Sequence, residues 1–221
     1  MTTKYDKTIK CANCGKEITK TVITSTSAFG YPDLDTRPAT PARFVQEDLV
    51  DYCGECCYAS YDLEEITDDV KKIIDTDEYY KYIYSFPYYP PLRGYMGVGY
   101  IHLKLGKYES AFDDFLNASW IYDDRALKNN DNDTPNVGRD YCIGLFDKHL
   151  IDSNDIEYHL INLDQLRRNK EFDKAKERAL GILDKFKLSI KDDERKVVEL
   201  QLKLIAEKDI KVYTTDKALN N

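Results

Sequence analysis

Long apolar runs are missing from this sequence of 221 residues. Nothing in it approaches the roughly 20 consecutive apolar residues of a membrane-spanning helix. The opening Met1-Thr2-Thr3-Lys4-Tyr5-Asp6-Lys7 also lacks the apolar region of a signal peptide. The expectation is a cytoplasmic protein without a membrane partner. A basic surplus is missing too: 32 Lys and Arg stand against 40 Asp and Glu, a formal charge of -8. That balance argues against broad contact with nucleic-acid backbones, which depends on basic patches. Histidine is scarce, and no glycine-rich phosphate loop or nucleophile-base pair stands at a readable spacing. This argues against an enzyme. His102, His149 and His159, with Asp33 and Asp35, are the only catalytic candidates, and their spacing does not join them.

What the sequence does have is cysteine in an ordered pattern. Cys11-Ala12-Asn13-Cys14-Gly15 and Cys53-Gly54-Glu55-Cys56-Cys57 read as two halves of one four-thiolate metal site. Each C-x-x-C places two sulfurs on a tight turn, and two such turns close a tetrahedral shell, which suits a structural zinc ion. Iron in the same four thiolates is the alternative, because ligand type alone does not separate the two metals. Disulfides fit a reducing cytoplasm less well. Cys57 and Cys142 are left over, the second as a small buried hydrophobe.

The fold expected is α+β and mainly α: a small β zinc-knuckle head over residues 1–62, a helical tetratricopeptide-like body over 63–210, and a flexible tail over 211–221. Ile9, Ile18 and Thr21-Val22-Ile23 suit short strands around the first knuckle, and Leu49-Val50 with Tyr52 suggests another before the second. Between them Gly30, Pro32, Pro38 and Pro41 mark a loop. Its Asp33, Asp35 and Arg37 are either contacts for a ligand or the turn-capping residues of an ordered spacer. From Val70 the period becomes helical, with a break at Asp75-Thr76-Asp77, and Pro87, Pro90 and Pro91 end that stretch.

Tyr95-Met96-Gly97-Val98-Gly99-Tyr100-Ile101-His102, then Gly106-Lys107-Tyr108, Ala111, Phe115 and Ala118, carry the small and large residues of a tetratricopeptide-type helix pair. Gly99, Ala111 and Ala118 let two helices approach, and His102 reads as a half-buried core residue. Residues 128–136 form a polar loop. Phe172 and Ala175 repeat the relation of Tyr108 and Ala111, and a helix from Asp193 to about Lys208 caps the stack.

The C-x-x-C at Cys11 and Cys14, the Phe29-Gly30 to Pro38 stretch, the second knuckle with Tyr58-Ala59, Ala118 with Trp120, and Leu166-Arg167-Arg168 to Phe172 and Ala175 carry a resemblance over nearly the whole chain. On these residues the chain resembles an uncharacterised bacterial family known as domain of unknown function 2225. The resemblance implies a zinc-knuckle head joined to tetratricopeptide-like helices and brings no assigned activity. That family's second knuckle reads C-x-x-C-G-Y, and here Cys57 stands in the glycine position.

Three functions compete. The first is a non-enzymatic adaptor binding a protein or peptide on its helices, with Tyr95 and Tyr100 on the concave face. The second is a redox protein, either an iron-thiolate electron carrier or a thiol switch using Cys57. The third is a nucleic-acid reader, for which residues 1–62 offer poor electrostatics, with seven Lys or Arg against nine Asp or Glu. Oligomeric state is not legible.

Overall fold

The structure, a computed structural model, describes residues 1–129 and 134–220. It is mainly helical, with small β-hairpins at the cysteine turns. The chain forms two compact units, residues 1–27 with 41–138 and residues 28–40 with 139–221. The division expected at residue 62 falls inside the first unit.

In the first unit, β1 (Thr3–Lys10) and β2 (Glu17–Ser25) pair antiparallel, with Ile9 opposite Ile18. The turn between them carries Cys11 and Cys14. A 3-10 helix follows at Ala42–Asp48. The strand expected from Leu49 is shorter than its β-type residues suggest. Only β3 (Asp51–Tyr52) pairs, with β4 (Ala59–Ser60), because that partner offers two residues. The turn between β3 and β4 carries Cys53 and Cys56.

The helices begin where threonine can cap them. Thr67 and Thr76 accept the N–H groups of Val70 and Tyr79 and so start α1 (Asp68–Ile74) and α2 (Asp77–Tyr84), which places the expected break at Asp75-Thr76. The prolines act differently from expectation. α2 has ended before Pro87, and Pro90 and Pro91 open α3 (Pro90–Lys104), where a missing N–H costs nothing. α3 lies against α4 (Tyr108–Asn129). A Cβ built on Gly99 would stand 2.5 Å from the Phe115 ring, so glycine there sets the closeness of the two helices. Ala111 and Ala118 on the facing helix are fully buried. Part of the polar loop expected at 128–136, residues 130–133, lies outside the described residues.

The second unit contains a π-helical turn at Phe146–Leu150 after α5 (Val137–Leu145), then α6 (Ile156–Arg168), α7 (Phe172–Lys185) and α8 (Asp192–Ala206). Leu163, Leu166, Ala175, Ala179, Ile182 and Val198 make its core. Residues 211–220 are not the flexible tail expected. Thr214 bridges to Asp33, α9 (Asp216–Leu219) follows, and Ala218 packs with Leu34, Leu200 and Leu204. The reason is Arg167. Fully buried, its guanidinium donates to Asp164 and Gln201, and to the carbonyls of Asp209 and Lys211 at 2.6 and 3.0 Å. A buried guanidinium must have its donors satisfied, and the returning backbone supplies acceptors.

Candidate metal centre

The two knuckles share one backbone scheme. In the first, Gly15 donates its N–H to the Cys11 carbonyl at 2.8 Å, and Cys11 donates to Lys16 O at 2.9 Å. In the second, Cys57 donates to the Cys53 carbonyl at 2.8 Å, and Cys53 donates to Tyr58 O at 2.8 Å. The residue after the second ligand has positive φ in both, +76° at Gly15 and +60° at Cys57. Left-handed backbone favours glycine, so Cys57 stands where the first knuckle uses the unstrained residue.

These turns bring Cys11, Cys14, Cys53 and Cys56 together, with all four sulfurs within 4.8 Å of one another. Across the knuckles, the Cys11 and Cys56 sulfurs are 3.7 Å apart and those of Cys14 and Cys53 are 3.5 Å apart. A tetrahedron with metal–sulfur bonds of about 2.3 Å has edges of about 3.8 Å. No bond joins the sulfurs, since all six cysteines are free. Both the spacing and the donor chemistry therefore fit one metal ion held by four thiolates. Cys11, Cys53 and Cys56 are buried and Cys14 is exposed.

Without metal, the thiols are unequal. Burial pushes the Cys53 and Cys56 thiols up, above the ordinary thiol range. At Cys14 burial acts in the same direction, but the Lys16 N–H and the neighbouring thiols outweigh it and the net shift is downward. Metal ligation must therefore expel protons from at least the two raised thiols.

A layer of tyrosines supports the second knuckle. Tyr52 donates to the Cys57 sulfur at 3.3 Å, and Tyr79 donates to the Cys57 carbonyl at 2.8 Å. Ala12 donates its N–H to Leu63 O at 2.8 Å, which ties the first knuckle to the chain leaving the second. The leftover thiols Cys57 and Cys142 are both fully buried.

None of the candidate interaction residues lies on a surface. Asp33, Asp35 and Arg37 are buried in the second unit, where Asp35 accepts from Gln165 and Arg168 at 3.1 and 3.0 Å. Tyr95 and Tyr100, expected on a concave face, are instead core residues of the first unit, 1% and 7% exposed. Tyr95 donates its hydroxyl to Gln46 O, and the Tyr100 ring packs against Tyr79 and Tyr82. Both rings are therefore part of a packed interior. Asp114 went unnoticed, although a carboxylate between Ala111 and Phe115 on a buried helix face was a legible signal.

No family model, curated protein or solved structure matches the chain. Among the described residues, no helix is long and apolar enough to cross a membrane.

Proposed function

We propose that the chain is a zinc-stabilised, non-enzymatic adaptor that binds a protein or peptide in the cytoplasm. The observation carrying this reading is the closed cluster of Cys11, Cys14, Cys53 and Cys56. Four protein thiolates complete the zinc shell and leave no position for a substrate, so the ion's role is to hold two turns that have little core of their own. Membership in the domain of unknown function 2225 family belongs to the same reading. The family's glycine falls on the positive-φ position of the second knuckle, where its presence has a backbone reason.

The helix pairs α3–α4 and α6–α7 are read as tetratricopeptide-like elements, with the binding surface on the exposed aromatic side chains at the end of α2 and in the turn that leads into α3. Support comes from Tyr84 and Tyr88, 61% and 68% exposed, which flank the Arg93 guanidinium at 5.2 Å from each ring. Tyrosine is among the side chains that carry most interface energy, and the buried Arg93, which donates to the Phe86 carbonyl, supports the two rings from below. Replacing both tyrosines with alanine should abolish capture of a cross-linked partner while zinc content and melting temperature stay unchanged. Retention of every captured partner would contradict the adaptor reading.

An iron-thiolate electron carrier is the second reading, favoured by the exposure of Cys14 at the edge of the cluster. A visible thiolate-to-iron band in the purified protein would select it.

A further inference from the structure

In the first unit, apart from the cysteine cluster, one histidine is arranged as a chemically active group. Asp114 on α4 is 1% exposed. Its Oδ1 accepts the Tyr61 hydroxyl at 2.5 Å, and its Oδ2 lies 2.6 Å from Nδ1 of His102 on α3. A buried carboxylate at that distance fixes the imidazole proton on Nδ1, which leaves the lone pair of the neutral ring on Nε2. Among the described residues Nε2 has no hydrogen-bond partner, and the side chain is 22% exposed. His159 differs. It is 3% exposed, and its Nε2 lies 2.9 Å from Ser153 O.

A ring nitrogen with an accessible lone pair, set in one tautomer by an oriented carboxylate, is the base-and-orienter part of covalent catalysis. We propose that His102 is a nucleophile toward small activated acyl esters, with Asp114 as its positioning residue, a site beyond the adaptor reading. Nε2 attacks the carbonyl carbon; a C–N bond forms and the C–O bond to the leaving phenolate breaks with its electron pair. The proton on Nδ1 stays in its hydrogen bond to Asp114, whose charge balances the acylimidazolium. Water then adds at the acyl carbon and the C–N pair returns to Nε2. The carboxylic acid leaves with one proton of that water, and the other goes to the phenolate.

The test uses the full chain with its metal and p-nitrophenyl acetate as probe. The expected result is release of p-nitrophenolate faster than with an equal concentration of free imidazole, with a transient acetyl group mapped to His102 by mass spectrometry. His102→Gln should fall to the buffer rate, and His149→Gln should not change it. Asp114→Asn should lose roughly tenfold or more, as for other orienting partners of an imidazole. Its ¹⁵N spectrum should change from the single Nδ1–H tautomer to a mixture, a readout that a purely structural role would not move. If Asp114→Asn does not fold, Tyr61→Phe, which removes only the second hydrogen bond on the carboxylate, should slow the reaction in the same direction. Release no faster than imidazole, an acetyl group on another residue, or an unchanged rate in His102→Gln would overturn the proposal.

Discussion

Cys57 shows at the residue scale how two small energies meet. Its φ of +60° costs an L-residue about 1–2 kcal/mol, while its fully buried side chain returns about 1 kcal/mol through burial. Cys57→Gly should therefore keep one metal per chain and shift stability by no more than about 1 kcal/mol in either direction. Cys57→Val, β-branched in a left-handed turn, should lose at least about 2 kcal/mol. Chemical denaturation of the metal-loaded proteins checks both. A large loss in the glycine variant would mean the thiol itself holds the knuckle.

His159 gives the second residue-scale prediction. Burial between the Phe146 and Phe186 rings lowers its pKa below 6.5, and nearby Lys185 and Arg178 act in the same direction, against Ser153 O and Asp155. The folded state thus favours neutral imidazole. Its contribution is fully present above pH 6.5 and is lost as pH falls from there through the lower folded value. Melting temperature should drop on acidification from pH near 7.5 to 5.5, and His159→Phe should flatten that dependence. An equal slope in the variant would assign the effect to other groups.

For the elements, the α3–α4 pair was legible because its small residues stand at helical spacing. Gly99 against Phe115 is that reading made physical. Gly99→Ala should cost about 1–3 kcal/mol by overpacking, and Phe115→Leu in the same chain should recover part of it, as a double-mutant cycle would measure. The tail was misread for an equally physical reason. Its order comes from acceptors for Arg167, a residue more than 40 positions earlier, and local composition carries no sign of that partner. Arg167→Met should therefore speed amide exchange at residues 209–215 and destabilise the second unit by about 3–5 kcal/mol, since Asp164 loses a buried partner. Unchanged exchange there would show that the tail is held by Ala218 and Thr214 alone.

At the scale of the whole molecule, the metal centre was readable because C-x-x-C is a local motif, repeated, and its chemistry depends on spacing alone. The interaction residues were not. Tyr95, Tyr100, Asp33, Asp35 and Arg37 are of types common both at interfaces and in satisfied interiors, and only tertiary packing decides which, here the interior. Burial holds Cys53 and Cys56 protonated without metal, so zinc uptake should release protons and weaken as pH falls. Isothermal titration in buffers of different ionisation enthalpy reads that release directly.

The most direct measurement is metal content by elemental analysis of untagged protein purified without added metal, taken with its visible spectrum. The proposed zinc site predicts one zinc per chain and no colour, with the four gathered sulfurs supplying the whole shell of the ion. Iron with a thiolate charge-transfer band, or cysteines that carry no metal at all, would contradict it.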